Sequence, residues 1–265
     1  MKKLFIIADD FGISKGVNKA IFECCEHNIL TGVSVMTTGA AFEDILILKE
    51  KYPQIEIGLH FDLFSRKLLT DLNLDFTPAQ LAFRLMYDNN LLQKIGRELL
   101  AQVRKLLEFT KITHIDSHRH IHYIPKIFRL VNEIADEYAV NRVRIPCPRL
   151  RLNGLKYVLN RNDFLKFFPF FIWKYFNETN ASSTDDFFGL FQVGNLSENY
   201  LNYIFECDFE YAELMVHPGY VDETLKKTNE NLLYKREAEL KLLIDFFTRK
   251  FREDKFIDSV IHGGK

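Results

Sequence analysis

A chain of 265 residues with 47% hydrophobic content can bury a large core, and its 35 basic and 36 acidic residues leave a formal charge of -1. That balance excludes a basic surface for nucleic acid and a long acidic disordered tail, so the expected ligand is small or neutral. The four cysteines, Cys24, Cys25, Cys147 and Cys207, form neither a CxxC pair nor a disulfide framework, as in a reduced cytoplasmic protein.

The apolar run Leu4 to Ala8 stops at two aspartates, too early for the apolar region of an export signal. Short runs rich in Ile, Val, Leu and Phe then alternate with longer amphipathic stretches, the pattern of strand–helix units around a parallel sheet in an α/β fold. In chain order the expected strands are Lys3 to Ala8, Ser34 to Thr37, Glu56 to His60, Lys111 to Asp116, Arg142 to Ile145, Gly189 to Val193, Ala212 to Val216 and Phe256 to Ile261. Seven or eight strands suit a parallel α/β barrel. Ser14 reads as the N-cap of a helix through Val17, Ala20, Ile21 and Cys24 toward Asn28. Further helices are expected at Phe42 to Lys51, Leu91 to Phe109, Pro125 to Tyr138 and Tyr234 to Phe251.

Residues Phe64 to Asn90 are less regular, with Pro78 a helix start. They and residues 152–191 read as elaborated connections within one domain, 1–265. The aromatic stretch Phe164 to Phe176 is broken by Lys166, Pro169 and Lys174 and is shorter than the roughly 20 apolar residues of a membrane span, so no membrane partner is expected. It reads as core or oligomer contact, with a sugar-stacking lid as the alternative.

The polar residues suited to chemistry gather at strand ends: Asp9 and Asp10, His60, His118, Arg144 and His217. In a parallel barrel those ends converge on one face. In Ile6-Ile7-Ala8-Asp9-Asp10-Phe11-Gly12 two carboxylates leave an apolar strand together, and both ionise cheaply only beside a cation or good donors. One could bind a metal while its neighbour serves as a base; the plainer alternative is an aspartate turn bonding backbone N–H groups. Gly58-Leu59-His60 closes another strand, its glycine permitting a close approach of backbone or substrate.

The stretch Thr113-His114-Ile115-Asp116-Ser117-His118-Arg119-His120-Ile121-His122 holds four of the eight histidines and an aspartate. Two imidazoles and one carboxylate make an open metal site. Spacing leaves the choice of histidine open: His118, His120 and His122 share a face if extended, His118 and His122 if helical. His217, held before Pro218-Gly219, is placed for a general acid, since histidine gives or takes a proton around neutrality. Arg144 could orient a substrate oxygen or a catalytic carboxylate, or form a structural ion pair.

Four blocks in order, IIADDFGIS, GLHFDL at Gly58 to Leu63, THIDSHRHIH and ELMVHPGY at Glu213 to Tyr220, resemble the YdjC-like carbohydrate deacetylases, which include chitooligosaccharide deacetylase. The resemblance implies a deformed α/β barrel like that of polysaccharide deacetylases, and a metal held by Asp10, His60 and His118. It further implies Asp9 as general base and His217 as acid; Arg144 is a substrate-binding candidate from its place at a strand end, not from the resemblance. The ion by resemblance is Mg2+, with Zn2+ also acceptable to the ligand set, and the oligomer a homodimer. The expected reaction releases acetate and a free amino sugar from a small N-acetylated saccharide. Two readings compete: a sugar-binding or regulatory protein of the same fold, and a non-haem iron oxygenase built on the same two-His-one-carboxylate triad. The sequence departs from the family pattern at Arg119, where a histidine often stands.

Overall fold

The computed structural model describes residues 2–145, 147–149, 151–158, 183–228 and 232–262. Its strands are β1 (Lys3–Phe11), β2 (Gly32–Val35), β3 (Glu56–Phe61), β4 (His114–Ser117), β5 (Arg142–Val143), β6 (Asp186–Phe188) and β7 (Tyr211–Val216). All pair in parallel in one sheet of order β5-β4-β3-β2-β1-β7-β6. The helices are α1 (Lys15–Glu26), α2 (Ile45–Lys51), α3 (Pro78–Leu85), α4 (Asn89–Leu107), α5 (Pro125–Glu137), the short α6 (Leu155–Val158), α7 (Glu198–Glu206), the short α8 (Glu223–Lys226), α9 (Lys235–Glu253) and α10 (Lys255–His262). The aromatic stretch 164–176 lies outside the described residues.

Strand alternation sorts β1 into two faces. Leu4, Ile6 and Ala8 point outward into the main core, packed with Leu214, Val216, Val17, Ile21 and Leu243 under the helices. On the other face the sheet encloses a polar interior, whose small apolar cluster is Phe187, Leu190, Phe191 and Met215. The sheet is curled. Five strand spacings of ~4.8 Å separate β5 from β7 along the ladder, yet Arg144, just past β5, reaches Glu213 of β7 at 2.5 Å. Only a sheet rolled toward a barrel brings those side chains together. Strand order reverses at β1, which pairs with β2 on one side and β7 on the other, and such a switch point is where open α/β sheets hold their ligands.

Local chemistry explains most boundaries. Ser14 caps α1, accepting from Val17 N–H at 3.3 Å, as the sequence predicts. Thr77 and Gln80 form a reciprocal capping box ahead of Pro78 and start α3 inside the irregular connection. That connection is anchored by buried Glu98, which accepts from Leu69 N–H, Thr70 N–H and the Thr70 hydroxyl.

Three strand expectations change. Phe256 to Ile261 is the helix α10: Ile257, Val260 and Ile261 fall at i, i+3 and i+4 and are all buried, with α10 packed against β1. The expected strand Gly189 to Val193 lies three residues earlier, at Asp186–Phe188, because Gly189 turns the chain at φ +100 and a Cβ there would stand 2.5 Å from the Met215 carbonyl oxygen. Strand β2 begins at Gly32 and ends before Met36, so Ser34 to Thr37 was set too late.

Candidate active site

Adjacent residues on a strand face opposite ways, so Asp9 and Asp10 would not share a site on a regular β1. The ladder to β2 shifts register between Ala8 and Phe11, and Asp10 sits at φ 67, a left-handed conformation that aspartate tolerates better than most residues. The bulge keeps Asp9 in the barrel interior and swings Asp10 to the mouth.

Around Asp10 the other strand ends converge. His60 Nε2 lies 3.2 Å and His118 Nδ1 3.0 Å from the same oxygen, Oδ1. His60 ends β3; His118 follows β4, where Arg119 and His120 both take φ 54 and break the 3-10 turn. The remaining carboxylate oxygen, Asp10 Oδ2, accepts from the Arg236 guanidinium at 2.5 Å. Burial alone would raise the Asp10 carboxyl, but Arg236 and the bonds to His118 and His60 outweigh it and hold it well below the usual carboxylate range.

Arg144 is 1% exposed and forms the hub of the interior. Its guanidinium grips both oxygens of Asp9 at 2.7 and 2.8 Å and also reaches Asp116 Oδ2 at 2.6 Å and Glu213 Oε1 at 2.5 Å. Among the described residues its guanidinium's ion-pair partners are thus all carboxylates, Asp9, Asp116 and Glu213. Burial opposes its charge, yet Asp116, Asp9 and Glu213 push its pKa well above the ordinary guanidinium value. Burial raises the Glu213 carboxyl above its ordinary value despite Arg144 and Arg142.

The histidine block divides its labour. His118 alone turns to Asp10. His122 clamps the turn, its Nδ1 2.5 Å from Ser117 Oγ and its Nε2 3.1 Å from the Arg144 carbonyl oxygen, and burial pushes its pKa down to about 3, so it is neutral. His120 stacks on Tyr123 with ring centroids 5.4 Å apart. His114 lies across Gly58, where a Cβ would stand 2.2 Å from its Nε2; the close approach that glycine permits is therefore to an imidazole. Asp62 of the GLHFDL block is structural, accepting from Phe64 N–H and Ser65 N–H in a turn.

His217 follows β7, its Nε2 4.0 Å from Asp9 Oδ2, and its own backbone N–H is held by Glu239 Oε1 at 2.6 Å. All five expected site residues therefore meet at one mouth, with Arg144 beneath them. His118 and His217 are 8% and 9% exposed against 1% or 2% for Asp9, Asp10 and His60, so a substrate reaches the centre past those two rings. A cleft of ≈ 540 Å³ opens beside His118, walled by Ile13, Met36, Phe64 and Arg119.

The residues present fit a cation. Asp116 Oδ1 lies 2.7 Å from His60 Nδ1 and takes the proton on that nitrogen, which leaves the Nε2 lone pair facing Asp10 Oδ1. Two lone pairs at 3.2 Å repel unless a positive charge lies between them. Without an ion a second proton on His60 serves as that charge: burial disfavours it, but Asp116 and Asp9 overcome the cost and push the His60 pKa well above the ordinary value. The ligand atoms of Asp10, His60 and His118 all lie within 4.8 Å of one another. Asp9, His60 and Asp116 meet the same distance criterion, but Arg144 already supplies positive charge to both of those carboxylates.

Sequence reasoning missed four supporting residues. The sequence shows Asp116 within the histidine block but not that it partners His60, and Glu213, a carboxylate in the middle of a buried strand, is a signal of a polar barrel interior. Arg236 and Glu239 carried no signal, since KREAEL reads as an ordinary surface turn of helix.

The chain is 29% identical to a carbohydrate deacetylase of Brevibacillus brevis over 264 residues, 97% of either protein. Its fold matches a candidate cellobiose-phosphate cleavage protein of Enterococcus faecalis V583 with a TM-score of 0.68 at 19% identity, covering 98% of this chain and 95% of that one. The family of YdjC-like proteins matches residues 3–254, and the chain belongs to it.

Proposed function

We propose that the chain is a metal-dependent carbohydrate deacetylase, hydrolysing the acetamido group of a small N-acetylated saccharide to acetate and a free amine. The observation that carries this reading is the single oxygen of Asp10 faced by two imidazoles at 3.2 and 3.0 Å, with Asp9 alongside and fixed by Arg144. The Brevibacillus relative supports the substrate class.

Asp10, His60 and His118 would hold the ion. When bound, a divalent cation supplies Lewis acidity, polarising the amide carbonyl and lowering the pKa of water. Two imidazoles and one carboxylate suit Zn2+ better than Mg2+, which favours oxygen ligands. Asp9 acts as the base. Arg144 occupies one lone pair on each of its oxygens and leaves others free, so Oδ2 accepts the proton given up by the attacking water. His217, whose backbone is locked by Glu239, points Nε2 toward the same point and delivers a proton to the departing nitrogen. Asp116 orients His60 without touching the substrate.

The test is acetate release from N,N'-diacetylchitobiose by metal-stripped protein with zinc, magnesium, manganese or cobalt restored one at a time, alongside His118→Ala. Metal-dependent release that the variant lacks is the expected result. Release by the stripped protein, or equal release by the variant, would overturn the metal centre; no release with any ion would overturn the substrate.

A further inference from the structure

The first turn of α9 does more than cover the barrel. Arg236 reaches Asp10 Oδ2 at 2.5 Å and, one helical turn on, Glu239 accepts from the His217 N–H at 2.6 Å. The Arg236 side chain is 0% exposed, and it passes under the Pro218-Gly219 turn, where a Cβ on Gly219 would stand 2.9 Å from Arg236 Cδ. The sequence therefore keeps a bare backbone at 219 along the path of this arginine.

A buried guanidinium on a carboxylate that faces a cation site is not a device for tighter cation binding, because its charge repels the ion and takes up part of the anion's charge. What it does control is geometry. With Oδ2 engaged, Asp10 offers the mouth one oxygen, Oδ1, the atom that His60 and His118 face. Without that bond the carboxylate could rotate and offer both. We propose that Arg236 is a positioning residue that fixes Asp10 as a one-oxygen ligand and so discriminates against cations, such as Ca2+, that take six to eight oxygens and favour bidentate carboxylates. This rests on the metal centre proposed above and extends it to the choice of ion.

The experiment measures Zn2+ and Ca2+ binding separately by calorimetry on the metal-stripped full chain, for the wild-type protein and for Arg236→Met. Removing the positive charge strengthens both ions, so the ratio of the two affinities isolates the geometric effect. The preference for Zn2+ over Ca2+ should fall by about tenfold or more in Arg236→Met, the scale on which groups behind metal ligands act. An arginine that merely stabilised the fold would leave the ratio unchanged, and that result in a folded variant overturns the proposal while leaving the metal centre standing. Should Arg236→Met fail to fold by circular dichroism, Gly219→Ala decides by the same ratio, because its Cβ displaces the arginine stem and retains the charge. Wild-type protein that binds neither ion overturns the metal centre and this proposal together.

Discussion

At the scale of single residues, the two aspartates of β1 show how neighbours in sequence are given different work. Asp9 is buried against Arg144, and Asp10 is turned to the barrel mouth by a bulge to meet two imidazoles. Asp9→Asn should lower kcat by about 10²- to 10⁴-fold, the usual contribution of a general base, while calorimetry finds ion binding nearly intact. Asp116→Asn should do the reverse first, weakening ion affinity by about 10- to 100-fold through loss of the His60 partner. Equal effects of both variants on ion binding would contradict this division. That Asp10, His60 and His118 come together was legible because each sits beside a strand end within a motif, although spacing alone left the choice among the histidines open. The supporting residues were not, because Asp116 and Glu213 gain their meaning only from strands that meet across the barrel, and Arg236 from a helix in another part of the chain.

Elements show where local signals suffice and where they fail. Local residues marked the starts of α1 and α3 because Ser14 and Pro78 act within one turn. The segment Phe256 to Ile261 reads as a strand because its four apolar residues, Phe256, Ile257, Val260 and Ile261, fit either period, and only packing against β1 decides for the helix. Gly58→Ala, which drives a methyl into the His114 ring, should destabilise the protein by ~1–3 kcal/mol in urea unfolding, as overpacked interiors do. A second element-level test uses Asp222, which caps α8 through Leu225 N–H at 2.8 Å and reaches across to Gly16 N–H at 2.6 Å. Burial works against its ionised form, but these backbone N–H groups outweigh that and lower its pKa. A carboxyl lowered on folding stabilises the native state above its unfolded pKa and loses that contribution as pH falls through the folded one. The stability gap between wild type and Asp222→Asn should accordingly be widest near neutrality and shrink in acid; a gap that widened in acid would contradict the capping role.

For the molecule as a whole, Arg144 is the tie across the curled sheet. It joins the end of β5 to β1, β4 and β7 through Asp9, Asp116 and Glu213. Arg144→Met would leave three buried carboxylates without their shared cation, at a cost of about 3–5 kcal/mol. Thermal unfolding should therefore fall sharply, whereas Arg249→Met, which breaks an exposed ion pair with Glu198, should hardly register. The α/β class was legible from the alternation of strands and helices, and a deformed barrel was expected from the family resemblance; the ion pairs from Arg144 that tie the curl were not legible, because their partners lie on three other strands.

The tie between Asp10 and Arg236 spans 226 positions, and that between Asp9 and Arg144 spans 135. On the ribosome, β1 therefore emerges first and is finished late: its β7 edge and the partners of its carboxylates arrive only after most of the chain has been made. A nascent chain ending before α9 holds all seven strands, but it carries Asp10 without its arginine. The ion selection proposed for Arg236 and the backbone bond that Glu239 gives His217 thus both wait on the same late segment, and premature termination removes both at once.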